Sequence, residues 1–320
     1  MALTVSSIVS AYGSYYENAG QNQKRVLQLL TQGRQLPNHC TPMITNDTIF
    51  RLGNSTIGEI VQGFQKGFTA KGGVEIVPNE IRLYHMKVDD EFQPDDLQAT
   101  WLAFFANLND AERKNWPFVK WVIENHYMKR LYADMEKNAY YKGVYAAPST
   151  GVAGTAATAF TGLKKQLQDG VDAETINSVN IGALDKDTIF DQVELFTDGI
   201  SQEYQGEQMN IGMSPYWYKK YMQDKRAQGF YQKFNAGEID DSIDFTPLNV
   251  KPLVSMTGTD DIFCTPKANL LWLYSSDKKT FKLEEAKRSV ALMLDWWEGL
   301  GFGINQAVWT NKQKSGSGSV

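Results

Sequence analysis

The spacing of apolar and polar residues divides the chain into segments of different character. Residues 1–45 are polar with one short helical pattern at Gln23–Leu30, and a stretch with so little apolar surface does not fold on its own. Residues 46–92 contain short β-type runs around the glycine-rich stretch GEIVQGFQKGFTAKGG. This arrangement predicts a long hairpin with a mobile tip. The β-type runs are Thr48–Leu52, Gly73–Pro78 and Ile81–Val88.

A helical pattern follows this hairpin. Apolar residues recur at three- and four-residue steps over residues 97–108 and again over residues 118–139, which is the spacing of one helix face. Pro117 is typical of the first turn of a helix, and Gly143 is typical of the position after its end. The sequence therefore predicts a long helix against which other elements pack.

Small residues at 146–160 indicate a boundary in the chain. Beyond it, helical patterns over residues 158–168 and 186–200 alternate with short β-type pieces. Ser214 as an N-cap and Pro215 in the first turn predict a third helix. These elements together predict a compact α/β unit inserted into the surrounding domain. The β-type pieces are Met209–Met213 and Val250–Met256.

The last part of the chain returns to β-type patterns. Asn269–Tyr274 is apolar, and Arg288–Trp297 alternates between two faces, as a strand with one buried face does. We expect a turn at Glu298 and Gly299, followed by a partner strand at Phe302–Thr310. With the helices, these strands define an α+β fold.

The composition is that of a globular protein. Hydrophobic residues make up 42% and charged residues 22% of 320 residues, which allows a substantial core. The formal net charge of −5 argues against a dedicated nucleic-acid binder, because such a protein needs a basic face. The first residues lack a signal-peptide pattern, and no apolar run reaches the ~20 residues of a membrane helix. We therefore expect no membrane partner.

Residues that could carry out chemistry are few. Cys40 and Cys264 lie far apart, and we expect two reduced, partly buried thiols, although one disulfide remains open. The three histidines are His39, His85 and His126, and no two of them have metal-ligand spacing. The sequence therefore predicts no catalytic, cofactor-binding or metal-ligating residue.

Short motifs lead to the same expectation. GMSPY at 212–216 lacks the closing glycine of a nucleophile elbow, and GLGFG at 299–303 is interpreted as a turn between strands rather than a dinucleotide fingerprint. Asp185, Asp187 and Asp191 cluster near a helix start, where carboxylates favour the helix dipole. The third helix is locally basic and carries aromatic residues, so we interpret it as an interface helix. Its basic residues are Lys219, Lys220, Lys225 and Arg226.

The order of the predicted elements is the most informative feature. An unpatterned arm, a β excursion, a long helix, a small-residue boundary, an α/β unit and returning strands resemble the major capsid proteins of tailed phages. These proteins share the Hong Kong ninety-seven (Johnson) fold. Residues 133–154, 213–233, 249–273 and 287–310 resemble successive parts of that family, and together the resemblance covers nearly the whole chain. The family's TP-x-x-N-L pattern is matched by Thr265, Pro266, Asn269 and Leu270.

The resemblance implies a division of the chain into the family's parts. Residues 1–45 would be the N-terminal arm and 46–93 the E-loop. Residues 94–145 would form the peripheral domain with its spine helix, 146–260 the axial domain, 261–312 the returning peripheral strands and 313–320 a flexible tail.

The resemblance also implies a function. The chain would self-assemble as hexamers and pentamers into an icosahedral shell, in the host bacterial cytoplasm, and would then be part of the virion. The shell would enclose double-stranded DNA and contact it weakly and non-specifically. The expected partners are further copies of the chain, a separate scaffolding protein, a portal and, as an option, decoration proteins, with no cofactor. At the E-loop tip, Phe64, Lys66, Phe68 and Lys71 are the expected inter-subunit contacts.

Two alternatives stay open at this point. The first is an encapsulin-like protein compartment with the same fold and an enzyme as cargo. The second is a hydrolase or transferase with an unrecognised site in the unit at residues 150–260.

Overall fold

The computed structural model describes residues 34–57, 59–93, 121–229, 241–276, 280–286 and 289–316, and the structural statements below concern these residues. The predicted helix Gln23–Leu30, the helical pattern at 97–108 and the predicted helix start at Pro117 lie outside the described residues.

The described strands are numbered in chain order. They are β1 (Thr41–Ile44), β2 (Ile49–Ile57), β3 (Val74–Arg82), β4 (Tyr84–Phe92), β5 (Asn177–Ser178), β6 (Met209–Met213), β7 (Asn249–Pro252), β8 (Phe263–Pro266), β9 (Leu270–Tyr274), β10 (Thr280–Ala286), β11 (Ser289–Phe302) and β12 (Trp309–Thr310).

The α-helices are numbered in the same way. They are α1 (Met128–Asp134), α2 (Leu163–Asp172), α3 (Ile189–Asp198) and α4 (Pro215–Ala227). The π-helical runs Ile123–Tyr127 and Met135–Ala139 continue α1 at its two ends. These three segments are called the central helix. Its buried stripe contains Met128, Leu131, Met135 and Ala139.

The first sheet has β11 at its centre. One edge of β11 pairs through residues 290–298 with the whole length of β4. The other edge pairs first with β10 and then with β9, and all these pairings are antiparallel. The short strand β1 adds to β9 in parallel. Along β11, Val290, Leu292, Leu294 and Trp296 are all buried, and the residues between them are half-buried. The predicted alternation of this strand is therefore confirmed.

The predicted turn at Glu298 and Gly299 is wrong. Strand β11 runs through both residues without a break and ends at Phe302. The rest of the expected partner strand Phe302–Thr310 contains only a 3-10 turn and the two residues of β12. A Cβ atom at Gly299 would lie 2.6 Å from the backbone oxygen of Arg82. The glycine is therefore explained by close packing of backbones rather than by a turn.

Strands β2 and β3 form a separate hairpin. Their antiparallel register runs from Ile49 opposite Arg82 to Ile57 opposite Val74, as the predicted long hairpin requires. Between the strands, residues 59–73 contain no regular secondary structure. The hairpin begins beside the first sheet, because Leu83 alone separates β3 from β4.

The second sheet has the order β5-β12-β8-β6-β7. Helices α3 and α4 pack with it around a separate core that includes Phe196, Ile211, Tyr221 and Trp309. The predicted N-cap of α4 is confirmed, because Ser214 Oγ accepts a hydrogen bond from the Trp217 backbone N–H at 3.4 Å.

Three hydrophobic cores form among the described residues, and the smallest contains Ile81, Leu83, Leu271 and Leu273. The first lies between the central helix, α2 and the inner face of the first sheet, and the second belongs to the second sheet. A fully buried aliphatic or aromatic side chain stabilises such a core by ~1.5–3 kcal/mol. The predicted domain boundary at residue 260 stays a prediction, and strands β8 and β12, which follow it, belong to the second sheet.

Candidate assembly interface

The loop at the tip of the β2–β3 hairpin is exposed throughout. All residues from 59 to 73 are exposed, and Phe64 and Phe68 keep 96% and 97% of their surface in water. Ile60 and Val61 are also exposed. Four exposed apolar side chains thus lie within nine residues of one loop, and a concentration of exposed apolar residues marks a contact surface.

Contacts between residues 59–62 and residues 69–71 hold the two sides of the loop together at its base, which is called the neck. Lys71 Nζ donates to the backbone oxygen of Val61 at 2.5 Å and lies 3.1 Å from Glu59 Oε2. Gln62 Nε2 donates to the backbone oxygen of Thr69 at 2.9 Å. The two phenylalanines are thus presented on a loop with a defined base.

The structure places all four predicted contact residues on this loop but gives them different surroundings. Phe64, Lys66 and Phe68 lie beyond the neck and are exposed, whereas Lys71 is part of the neck. Their role as contacts between subunits stays a prediction.

A buried ionic cluster lies where the described chain begins. Arg34 and Glu298 are each 1% exposed, and Arg34 Nη1 donates to both carboxylate oxygens of Glu298 at 2.5 Å. The Tyr140 hydroxyl accepts a hydrogen bond from Arg34 and donates one to Glu298 Oε1 at 2.6 Å. The indole N–H groups of Trp272 and Trp296 donate to the same carboxylate at 2.6 and 2.9 Å.

A second carboxylate holds the next residues of the chain. Glu136 Oε1, on the central helix, accepts the backbone N–H groups of Gln35 and Leu36 at 2.6 and 2.8 Å. Arg34, Glu136, Tyr140 and Glu298 therefore fasten residues 34–36 between the central helix and β11. This group of four residues is called the buried anchor.

The pKa values of the two carboxylates in the buried anchor are shifted in opposite directions. Burial acts to raise the pKa of Glu298, but the charge and hydrogen bonds of Arg34, with the Tyr140 and Trp272 donors, hold it below its usual value. The pKa of Glu136 is raised, because its burial outweighs the two backbone N–H bonds and Arg34. The guanidinium of Arg34 is hydrogen-bonded to Glu298 and acts on Glu136 through its charge, so Glu298 is the better compensated carboxylate.

Sequence reasoning missed the buried anchor, although one signal for it is present. The alternation of β11 places residues 290, 292, 294 and 296 on the core face, and its extension places Glu298 there too. A charge on the buried face of a strand is rare unless it is paired.

The residues considered for chemistry do not form a site. Among the described residues, no group of three or more His, Cys, Asp or Glu side chains could hold a metal ion. Cys40 and Cys264 are both free and buried, and burial raises the pKa of both thiols. Burial, together with Lys251 and Lys267, lowers the pKa of His39.

The basic helix α4 is less basic at its surface than its sequence indicates. Lys225 is fully buried, and its Nζ donates to the backbone oxygen of Ser242 at 2.8 Å. Lys220 lies over the ring of Tyr216. Within the described part of the chain, no helix has the length and apolar character needed to span a membrane.

Comparison with known proteins shows the fold. No family model and no curated protein matches the sequence. A chain of the satellite phage P4 procapsid structure, which includes the size determination protein, matches with a TM-score of 0.60 and 12% identity over 94% of each chain. The capsid of an empty GTA particle matches with a TM-score of 0.53 and 14% identity, over 98% of this chain and 100% of that chain.

The capsid of a native GTA particle is a further match, with a TM-score of 0.51 and 12% identity over 90% of this chain and 91% of that chain. These likenesses extend over nearly the full length of the chain. The chain therefore has the Hong Kong ninety-seven (Johnson) fold of phage capsid proteins, and the predicted α+β fold of this type is confirmed.

Proposed function

We propose that the protein is a major capsid protein, a structural subunit whose copies assemble into the icosahedral shell of a tailed phage. The observation that carries this proposal is the exposed tip loop on a body with a capsid fold. Phe64 and Phe68 are almost completely exposed in the single chain. A shell supplies neighbouring copies that can cover such side chains.

The parts of the fold take the roles expected for this class. The β2–β3 hairpin is the E-loop, and the central helix belongs to the spine helix of the peripheral domain. The axial domain is residues 146–260, which contain α3, α4 and the strands β5, β6 and β7 of the second sheet. Residues 1–45 are the N-terminal arm, and the buried anchor fastens its residues 34–36 to the central helix and β11.

The proposed contents and partners follow from charge and fold. The chain carries a net charge of −5, so a shell of many copies binds packaged double-stranded DNA weakly and without sequence preference. Hexamers and pentamers are the assembly units, and a separate scaffolding protein and a portal are the proposed partners. The mature location is the virion, after assembly in the cytoplasm of the host bacterium.

The test is assembly of the purified protein, followed by light scattering and negative-stain electron microscopy with and without the candidate scaffolding protein. Closed shells, or rings of five and six subunits, are the expected result. A monodisperse monomer under every condition, scaffolding protein included, would contradict the proposal.

A matched pair of variants links assembly to the tip loop. Phe64→Ser combined with Phe68→Ser should leave the melting temperature unchanged and prevent shell formation, because both side chains are exposed in the free subunit. Leu195→Ser removes an exposed apolar side chain of α3 and should leave tip-loop contacts intact.

Shells purified from the host should contain nucleic acid; a co-purifying enzyme in its place would favour the encapsulin-like compartment.

A further inference from the structure

Phe245 combines two unusual properties. Its backbone has a φ of +63°, a left-handed conformation that is unfavourable for a bulky residue. Its side chain is fully exposed, with a relative accessibility of 108%. No packing within the described residues accounts for an aromatic side chain at this position. Strained backbone of this kind is found mainly at functional sites.

The turn that carries Phe245 is well defined. The backbone N–H of Ile243 donates to Leu248 at 3.0 Å, and that of Thr246 donates to Ile243 at 3.2 Å. Ile243 and Leu248 are 2% and 1% exposed. The ring of Phe245 therefore projects from a turn whose two sides are fixed in the second core.

Charges beneath the turn are neutralised within the chain. The buried Lys225 donates to the backbone oxygen of Ser242 at 2.8 Å and lies 3.7 Å from Asp244. Lys251 forms an ion pair with Asp241. The turn thus presents an apolar ring, and both of its acidic residues already have a cationic partner.

We propose that Phe245 is an anchor residue that inserts into a second copy of this chain within the ring of subunits. This proposal rests on the proposed function. A rigid aromatic side chain loses little conformational entropy on binding, which is typical of interface hot spots. Neither the acidic residues nor the ring attracts phosphates, so nucleic acid is the less suitable partner. One projecting anchor per copy gives a heterologous contact, the type that closes rings.

The proposal predicts that one substitution weakens assembly without weakening the fold. Phe245→Gly removes the backbone strain, because glycine adopts positive φ freely. The isolated subunit should therefore melt at the same temperature or about 2 °C higher. The protein concentration needed for assembly should rise at least tenfold. Substitution of a residue with a purely structural role would not weaken assembly while the isolated subunit stays as stable as the wild type or becomes more stable.

Two further variants complete the test, with assembly followed by light scattering on the full chain. Phe245→Tyr keeps the aromatic ring and should assemble at the wild-type concentration. Tyr216→Ala removes another exposed aromatic side chain of the same unit and should also leave the concentration unchanged.

The outcomes separate this proposal from the proposed function. If the wild-type protein assembles and Phe245→Gly assembles equally well, the anchor role is wrong and the capsid role stands. If Phe245→Gly assembles normally but no longer binds the scaffolding protein, the second copy is the wrong partner. If the wild-type protein never assembles, both proposals fail.

Discussion

Replacement of Arg34 by methionine tests the buried anchor. Arg34→Met leaves a buried carboxylate, Glu298, with Tyr140, Trp272 and Trp296 as its only donors among the described residues. Removal of one partner from a buried ion pair costs ~3–5 kcal/mol, a large part of the ~5–15 kcal/mol that stabilises a typical domain. The loss of free energy of unfolding should therefore be ~3–5 kcal/mol at pH 7.5.

The loss of free energy of unfolding in Arg34→Met should depend on pH, and the pKa of Glu298 in each protein determines the direction of that dependence. In the wild-type protein the pKa of Glu298 is lowered, so its contribution is present above its unfolded pKa and is lost as the pH falls through the folded pKa. Without Arg34, burial dominates and raises the pKa of Glu298. The variant should then recover stability between pH 7.5 and pH 5, because protonation removes the uncompensated charge.

Glu136 also makes the stability difference between Arg34→Met and the wild-type protein larger at high pH. Its pKa is raised already in the wild-type protein, so its unfavourable contribution grows as the pH rises through that folded value. Arg34 lowers this pKa in part, and its removal raises it further. The difference between variant and wild type should therefore be larger at pH 7.5 than at pH 5.

Urea unfolding followed by tryptophan fluorescence measures this difference, since Trp272 and Trp296 contact the anchor directly. The control is Arg51→Met, which breaks an exposed ion pair with Glu80 at 2.8 Å and should leave the unfolding midpoint unchanged. An equal loss for Arg34→Met at pH 7.5 and pH 5, or a loss below about 1 kcal/mol, would refute the reasoning.

Three other predictions concern different parts of the chain. Hydrogen exchange of residues 60–75 should be fast in the free subunit and slow in the shell; equal protection in both states would contradict the E-loop assignment. Gly299→Ala should destabilise the protein by ~1–3 kcal/mol in thermal unfolding, because its Cβ would lie 2.6 Å from the backbone oxygen of Arg82. Gly206→Ala should not, because the new Cβ would have open space around it. Cys40 and Cys264 should resist thiol reagents until the protein unfolds, because both are buried with raised pKa values; rapid labelling of the native protein would show the burial to be wrong.

Local patterns predicted the elements whose signal lies within a few residues. The N-cap at Ser214, the alternation of β11 and the stripe of the central helix all depend on short-range spacing. The long hairpin was also predictable, because its apolar runs flank a glycine-rich stretch. The helix expected at 158–168 is instead α2 (Leu163–Asp172), preceded by a 3-10 turn.

Features that depend on distant contacts could not be predicted in this way. Local sequence favours a turn at Gly299, because the close approach of Arg82 depends on a contact that no local pattern contains. Arg34 and Glu298 are 264 residues apart. The only local signal is the position of Glu298 on the buried face of β11, which indicates that this carboxylate has a cationic or hydrogen-bonding partner. The exposure and strain of Phe245 follow from the way Lys225 and the second core hold its turn, which no spacing rule contains.

The two residues of β12 have a consequence for the synthesis of the chain. Trp309 and Thr310 pair with β8 on one side and β5 on the other, and join strands that precede them in the chain. On the ribosome, β5, β6, β7 and β8 therefore emerge before the strand that must separate β5 from β8. Until Trp309 arrives, the open edge of β8 can be occupied by a strand of another nascent copy. A molecular chaperone that shields this edge should therefore raise the yield of correctly folded chains.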